Sequence, residues 1–223
     1  MSMTNRLTEA LKQQILALPS APQLLEEVYA ALAEEAKRRQ LFYEQVTEES
    51  KAEFINGEVI LHSPAMKRHV EVTSQLFQLL NAYVLKHTMG FVGIEKLMIR
   101  LTRNDYEPDI CYFATEQATH FSPEQMLFPA PDFVVEVLSK STEKRDRGIK
   151  WQDYAAHGVG EYWIIDPEGQ TVEQYLLRDG NYNLHRKVAD GELNSQVVRG
   201  FTIPVRAIFE ASANIQALAQ ILA

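Results

Sequence analysis

Two acidic residues lie inside apolar, strand-like runs of the sequence, where their side chains could do chemistry. Asp109 belongs to the run Pro108-Asp109-Ile110-Cys111-Tyr112-Phe113, and Glu136 lies in the middle of the run 132–138. The β-branched and aromatic residues of these runs predict buried strands. Because an ionised carboxylate in an apolar strand is costly unless a cation meets it, a divalent metal is the simplest partner for the pair. A second interpretation stays open for Asp109, in which it only caps the start of a strand.

A metal held by two acids suits the hydrolysis of phosphodiester bonds, since the metal orients the phosphate, activates water and neutralises developing charge. Mg²⁺ usually takes one or two protein carboxylates and leaves its other positions to water and phosphate oxygens. A nearby lysine would assist by positioning water or by stabilising negative charge in the transition state. Lys150 is the first candidate for this role. Lys140 is the second, because it would share a strand face with Glu136.

Lys150 also belongs to a regularly spaced set of side chains. Asp146, Lys150 and Tyr154 lie at positions i, i+4 and i+8 of a helix predicted over residues 142–157, and they would share one helical face. This spacing has two interpretations. Lys150 is either a catalytic cation or half of a surface ion pair with Asp146, which would be worth only ~0.3–0.5 kcal/mol.

Basic residues concentrate in the stretch 140–150, which includes Lys140 and Arg147, although the whole chain carries a net charge of −8. This local excess of bases predicts phosphate binding beside the metal. His69, which follows two basic residues on a predicted helix, is a further candidate for phosphate binding, with a structural histidine as the alternative. The net acidity argues against a protein that coats nucleic acid non-specifically.

Composition narrows the class of protein. With 223 residues, 46% of them hydrophobic, the chain can bury a substantial core, and no apolar stretch approaches the ~20 residues that span a bilayer. The N-terminus does not resemble a secretory signal, so we expect a cytoplasmic protein. The single cysteine, Cys111, excludes internal disulfides and a thiolate metal cluster. The sequence contains no glycine motif that would cradle a phosphate, and we expect no organic cofactor.

The elements that must position these side chains can be read along the chain. Residues 1–40 predict a helical extension, in which Leu24, Val28 and Leu32 share a helix face. Residues 41–210 predict the main domain, and residues 211–223 a helical tail. The apolar residues of the extension and tail exceed what one core needs, so we expect a homodimer.

Within the main domain, Asn56-Gly57 predicts a hairpin turn, and Asp179-Gly180 predicts the connection between antiparallel strands at 172–177 and 182–188. Ser63-Pro64 predicts the start of a helix that ends at Gly90. Strands are predicted at 91–101, 108–113 and 132–138, and another around Tyr162. The last two flank the predicted helix 142–157 and form a β-α-β unit. Such a unit favours an α/β fold with a central mixed sheet flanked by helices.

These residues, in this order, resemble the Uma-type restriction endonuclease family of the PD-(D/E)XK nuclease superfamily. The resemblance covers roughly residues 50–180 and is carried by Gly57-Glu58, Ser63-Pro64, His69, Pro108-Asp109, Glu136-Val137-Leu138-Ser139, Asp146, Lys150, Tyr154 and Glu161-Tyr162-Trp163-Ile164-Ile165-Asp166-Pro167. It implies a restriction-endonuclease-like core, and it adds Glu58 to the catalytic acids and metal ligands. The superfamily's lysine position falls on Leu138, so the resemblance implies that Lys150 replaces that cation.

The sequence therefore predicts an endonuclease that hydrolyses DNA phosphodiester bonds with Mg²⁺ or Mn²⁺. Its metal ligands would be Asp109, Glu136 and Glu58, and Lys150 would complete the catalytic set. His69, Lys140 and Arg147 would bind the substrate. The alternative is a non-catalytic, dimeric binding or regulatory protein that has kept the nuclease fold. The leucine in the lysine position and the net acidity favour that alternative.

Overall fold

The computed structural model describes residues 3–47 and 51–223, so residues 1, 2 and 48–50 of the predicted extension and main domain lie outside the described residues. The helices are α1 (Met3–Leu16), α2 (Ala21–Gln45), α3 (Lys67–His87), α4 (Thr115–Ala118), α5 (Glu143–Asp146), α6 (Ile149–Ala156), a 3-10 helix (Val205–Ile208) and α7 (Ala211–Leu222). None of these described helices is long and apolar enough to cross a bilayer.

Thirteen strands lie within the described part of the chain. They are β1 (Ala52–Ile55), β2 (Glu58–Leu61), β3 (Gly90–Ile94), β4 (Met98–Arg100), β5 (Asp105–Tyr106), β6 (Ile110–Ala114), β7 (Leu127–Phe128), β8 (Phe133–Val137), β9 (Glu161–Asp166), β10 (Thr171–Arg178), β11 (Asn181–Val188), β12 (Glu192–Asn194) and β13 (Thr202–Pro204).

The strands form one large mixed sheet and two smaller sheets. The large sheet has the order β11-β10-β9-β8-β6-β3, the second sheet has the order β2-β1-β5-β4-β7, and β12 pairs with β13. In the large sheet β8 and β9 are parallel, with Phe133 opposite Glu161, whereas β6 runs antiparallel to β8. The predicted β-α-β unit is therefore present, with α5 and α6 as its crossover. The mixed sheet flanked by helices confirms the predicted fold class.

The large sheet is buried on both faces. One face packs against α3 and α7 through a core that includes Leu76, Ile110, Val135 and Trp163. The other face carries a second core, which includes Cys111, Phe113, Val134 and Tyr162. Since successive strand residues alternate between faces, Asp109 lies on the side of Cys111 and Glu136 lies on the side of Val134. Both acids therefore project from the same face of the sheet.

Two tight turns formed as their sequences predict. Asn56 and Gly57 both have positive φ angles, 51° and 84°, and connect β1 to β2. Asp179 and Gly180 do the same between β10 and β11, with φ angles of 53° and 78°. Positive φ at both central residues gives the turn that matches the twist of a two-stranded ribbon, which is why Asn-Gly and Asp-Gly sequences mark it.

The predicted helix over residues 142–157 is in fact two short helices, α5 and α6, that meet at Gly148. A Cβ atom on Gly148 would lie 2.7 Å from the carbonyl oxygen of Lys144, a separation too short for any side chain. The glycine therefore allows a sharp bend with close backbone approach. Asp146 and Lys150 consequently belong to different helices rather than to one helical face.

Two further boundaries differ from the sequence prediction. The helix expected at Ser63 begins at Lys67, because residues 62–66 run without helical structure along the edge of a cleft. The strand expected over residues 91–101 is divided between the two larger sheets. Glu95 lies at the break with a φ angle of 57°, and its N–H group donates a hydrogen bond to the carbonyl oxygen of Asp109. This break brings the Glu95 side chain beside Asp109.

The apolar residues of the N-terminal extension and of the C-terminal tail differ in how far the protein buries them. Helix α2 continues past residue 40 to Gln45 and is anchored on the second sheet by Phe42 and by a hydrogen-bonded ion pair between Arg39 and Asp105. The face predicted from Val28 and Leu32 is exposed. Helix α7 instead packs on α3 within the main core, with Ala217 buried, so most of its apolar face is already covered.

Candidate active site

A cleft of about 530 Å³ opens above the ends of β6 and β8. Its walls come from the segment 62–69, which leads into α3, and from the segment 137–142, which follows β8. Asp109 and Glu136 both line it, and each side chain is nearly buried. Because β6 and β8 are neighbours and both acids project from the same face, the sheet brings the two predicted carboxylates to one concave, solvent-reachable place.

Asp109 is held by groups from three parts of the chain. Its Oδ2 accepts a hydrogen bond of 2.7 Å from the N–H of Val137. Its Oδ1 lies 3.2 Å from Nε2 of His69 and 3.3 Å from the ammonium of Lys51. Burial alone would raise the pKa of Asp109, but the His69 contact and the Lys51 charge lower that pKa to about 2. Asp109 is therefore ionised throughout the physiological pH range.

Glu136 lies at the centre of a second group of charges, deeper in the cleft. Its Oε1 accepts hydrogen bonds from the ammonium of Lys150 at 2.9 Å and from the hydroxyl of Tyr154 at 3.2 Å. The same ammonium lies 2.8 Å from Oε1 of Glu53 and 3.5 Å from Oδ1 of Asp146. Three carboxylates thus surround one buried lysine. The interpretation of Asp146 and Lys150 as a surface ion pair is wrong, because both side chains are buried.

Burial and charge act in opposite directions within this buried cluster. Burial raises the pKa of Glu136 well above its ordinary value, and it also raises the pKa of Asp146. The pKa of Glu53 is instead lowered to about 2, because Lys150 and His62 outweigh the effect of burial. The three acids raise the pKa of Lys150 despite its burial. Lys150 is accordingly a permanent cation that allows several acids to be buried together.

A further acid, Glu95, joins Asp109 at the mouth of the cleft. His69 offers a ring nitrogen to this place, and Glu95 and Asp109 each offer a carboxylate oxygen. These three atoms lie within 4.8 Å of one another, so they could hold one ion. The Lys51 ammonium approaches the same group, 2.9 Å from Oε2 of Glu95. The two carboxylate oxygens suit Mg²⁺ and Mn²⁺, and the imidazole nitrogen is a softer donor that Mn²⁺ accepts more readily. The residues present therefore fit a divalent metal.

The structure brings most of the predicted site residues together, but it places two of them elsewhere. Lys140 lines the cleft at its exposed rim, and Leu138 lines its wall. Glu58 is exposed at the turn end of β2, opposite Ile55, and it does not line the cleft. The hairpin buries β1 while β2 remains largely exposed, so it is β1 that supplies the acid of this region, Glu53.

Arg147 also lies away from the cleft. Its guanidinium binds Glu173 on β10, with the shorter contact at 2.6 Å, and Glu143 at 3.0 Å. The bend at Gly148 separates Arg147 from Lys150, so the two bases do not share a site. These contacts make Arg147 a link between α5 and the large sheet rather than a group that faces the cleft.

Three site residues had not been singled out from the sequence. Glu53 carries the same signal as Glu136, an acid inside a buried apolar run, and that signal could have identified it. Lys51 and Glu95 have no such signal, because each lies beside Asp109 only through tertiary folding. A fourth residue that had not been singled out, Glu107, lines the cleft and accepts a hydrogen bond from the N–H of Ala52, and burial raises its pKa to about 7.

Comparison with known proteins agrees with this fold. A protein of Synechocystis sp. described as uncharacterized is 32% identical over 134 residues, which cover 59% of this chain and 74% of that protein. The structure is similar to the crystal structure of a "putative nuclease belonging to DUF820" from Anabaena variabilis, with a TM-score of 0.64 and 19% identity over 78% of this chain and 96% of that chain. The family model Uma2, "Putative restriction endonuclease", matches residues 35–206. The chain therefore belongs to the Uma2 restriction endonuclease family.

Proposed function

We propose that this protein is a metal-dependent endonuclease that hydrolyses phosphodiester bonds of DNA. The observation that carries the proposal is the convergence of Asp109, Glu95 and His69 on one small volume, beside Glu136, in an open cleft. Membership of a restriction endonuclease family supports the same reaction class and DNA as the substrate.

Asp109 and Glu136 remain the proposed pair of metal-binding acids, with Glu95 and His69 in place of Glu58. A divalent ion bound there would orient the phosphate, activate water and offset the charge that develops in the reaction. Asp109 stays ionised because His69 and Lys51 contact it, and it stays oriented because the N–H of Val137 holds its second oxygen. We expect Mn²⁺ to bind more tightly than Mg²⁺, because the site includes a nitrogen ligand.

The buried cluster around Lys150 orients Glu136, one of the acids of the proposed metal site. Lys150 and Tyr154 come from the same face of α6, one turn apart, and both bind Oε1 of Glu136. They fix the orientation of the Glu136 carboxylate. The Lys150 charge also offsets the electrostatic cost of burying Glu53 and Asp146. We therefore propose that Lys150 acts mainly by holding the acids of the site.

Substrate would enter along the rim of the cleft, where Lys140 and Arg68 offer positive charge close to the proposed metal. Their positions suit contacts to the phosphate backbone, which orient a nucleic acid but carry no sequence information. Because the whole chain carries a net charge of −8, an anionic substrate would depend on such local bases for electrostatic attraction.

A cleavage assay tests the proposal directly. Supercoiled plasmid DNA incubated with the protein and Mn²⁺ should be nicked or linearised, and an excess of chelator should stop the reaction. The variant Asp109→Asn keeps nearly the same shape and should lose cleavage. If the protein binds Mn²⁺ but leaves plasmid, duplex and single-stranded DNA intact, the nuclease proposal is wrong. The non-catalytic binding protein then becomes the better interpretation.

We also propose that the protein is a homodimer whose second copy covers the exposed face of α2. Leu25, Val28 and Leu32 lie at spacings of three and four residues and are all exposed, as is Tyr29 between them. Arg39 and Phe42 continue the same face of α2 toward its C-terminal end, where that face is fixed to the second sheet. The apolar stripe is the N-terminal part of this face, which the described part of the chain leaves exposed. A two-fold axis would let two such stripes pack on each other.

The dimer has a simple test. The double substitution Val28→Asp, Leu32→Asp places charge in the proposed interface and should convert the protein into a monomer. Both side chains are exposed on the single chain, so the monomer itself should remain folded. Light scattering at micromolar concentration measures the change. Ile215→Asp, at an exposed position on α7, is the matched control and should leave the dimer intact. A wild-type protein that is monomeric under these conditions would rule the dimer out.

A further inference from the structure

The site contains two lysines, and their surroundings differ. The Lys150 side chain is 2% exposed and has three acidic neighbours, Glu53, Glu136 and Asp146, within 3.5 Å of its nitrogen. An ammonium group has three N–H donors and no acceptor. The nearest two acids, Glu53 and Glu136, lie 2.8 and 2.9 Å from this nitrogen, and the almost complete burial of the side chain leaves the ammonium badly placed to donate to a phosphate oxygen in the cleft.

Lys51 has a different environment at the mouth of the cleft. Its nitrogen binds Oε2 of Glu95 at 2.9 Å and Oδ1 of Asp109 at 3.3 Å. These two contacts leave one of its three donors for another partner. The Lys51 side chain is 19% exposed and lines the cleft, so this donor can reach a substrate.

Lys51 binds the same two carboxylates, Asp109 and Glu95, that the proposed metal would use. A small divalent ion binds carboxylate oxygens at about 2.1 Å, and at that distance it would repel an ammonium held on the same two carboxylates. Metal binding and the present Lys51 contacts therefore compete. An ammonium released from Asp109 and Glu95 stays tethered at the mouth of the cleft, where phosphate is the anion that a nucleic acid presents.

We propose that Lys51 is the cation that faces the DNA phosphate, and that the divalent metal displaces its ammonium from Asp109 and Glu95 toward that phosphate. This inference rests on the proposed nuclease function and assigns to Lys51 the role that the sequence suggested for Lys150 or Lys140. Lys150 then keeps the separate role of holding the buried acids.

The proposal predicts two effects of opposite sign for Lys51→Met. Without the competing ammonium, Mn²⁺ should bind about three- to tenfold more tightly than it binds the wild type. Without the phosphate contact, a short DNA duplex in the presence of Ca²⁺ should bind about tenfold more weakly. Isothermal titration calorimetry measures the first effect, and fluorescence anisotropy of a labelled duplex measures the second. A lysine with a purely structural role would not change the two affinities in opposite directions.

Three variants complete the experiment. Lys51→Arg keeps the charge and should keep DNA affinity near that of the wild type. Lys67→Met removes an exposed lysine of α3 that pairs with Glu71 outside the cleft, and it should change neither affinity. Lys140→Met should weaken DNA binding less than Lys51→Met, since Lys140 lies at the exposed rim. Melting curves of all four proteins confirm that they are folded.

Each contrary result has a distinct meaning. If Mn²⁺ binds Lys51→Met as weakly as the wild type or more weakly, metal and lysine do not compete, and the displacement is wrong. If duplex affinity is unchanged in Lys51→Met, or falls more in Lys140→Met, Lys51 does not face the phosphate. If the wild type binds neither Mn²⁺ nor DNA, the proposed nuclease function fails together with this inference.

Discussion

Replacing Lys150 with methionine is expected to lower the free energy of unfolding by about 3–5 kcal/mol, a large fraction of the stability of a typical protein. The lysine is the shared cation of Glu53, Glu136 and Asp146, all of which are buried. Methionine fills most of the same volume but removes the positive charge that these three acids share. Denaturant unfolding followed by circular dichroism measures the loss.

Two comparisons separate this charge effect from a packing effect. Adding Glu136→Gln to Lys150→Met removes one of the uncompensated acids and should restore part of the lost stability. Lys144→Met, at an exposed position on α5, should change stability by no more than about 0.5 kcal/mol. If the double variant is no more stable than Lys150→Met, the loss comes from packing, and the electrostatic account of the cluster is wrong.

The stability of Lys150→Met should also depend on pH, in a direction that the buried acids determine. Burial raises the pKa of Glu136, and the Lys150 charge counteracts part of that rise. Removing the lysine therefore raises this pKa further, and the folded variant binds a proton more tightly than the folded wild type does. Lowering the pH from 7 toward 5 should therefore reduce the deficit of the variant. A deficit that grows over this range would contradict the argument.

The expected loss of stability affects how the activity of a Lys150 variant should be interpreted. From the sequence alone, Lys150 was expected to act in the reaction, by positioning water or by stabilising negative charge in the transition state. The contacts of its ammonium show that removal would be costly in the folded state. Loss of activity in Lys150→Met is therefore weak support for a catalytic lysine, and Lys51→Met is the more informative variant.

The sequence carried enough local information to predict the fold class. Asn56-Gly57 and Asp179-Gly180 predicted hairpins because their turn geometry depends on few neighbours. The parallel pair of β8 and β9 followed from the β-α-β pattern. The bend at Gly148 was not predicted, because helical periodicity continues across it and only the close approach to the Lys144 carbonyl distinguishes it.

Some residues of the site could likewise be predicted from their neighbours in sequence, whereas others come together only in the folded chain. Asp109 and Glu136 could be selected as acids inside apolar runs, a signal that depends only on their neighbours in sequence. Glu95 follows a strand and has no unusual neighbours. It reaches Asp109 because the chain leaves one sheet for another at a residue with positive φ. Nothing in the local pattern predicts that change of sheet.

Replacing Glu95 with glutamine is expected to weaken Mn²⁺ binding by at least about tenfold and to reduce DNA cleavage to a similar or greater extent. The amide keeps the size of the side chain but removes the charge that would bind the metal beside Asp109 and His69. Glu58→Gln is the matched comparison, because the same chemical change is made on an exposed strand outside the cleft. It should leave metal affinity and cleavage at the level of the wild type.

This pair of variants decides which glutamate accompanies Asp109, since the family resemblance pointed to Glu58 and the geometry points to Glu95. Isothermal titration calorimetry with Mn²⁺ gives the answer without DNA, and a plasmid assay repeats it for cleavage. Melting curves exclude a folding defect in either variant.

Because Glu95 also binds Lys51 at 2.9 Å, Glu95→Gln removes a partner of that lysine as well as a ligand. The double variant Glu95→Gln, Lys51→Met should therefore bind Mn²⁺ more tightly than Glu95→Gln alone, as Asp109 is then released from its remaining competitor. If Glu58→Gln proves the more damaging change, the metal site built from His69, Glu95 and Asp109 is wrong.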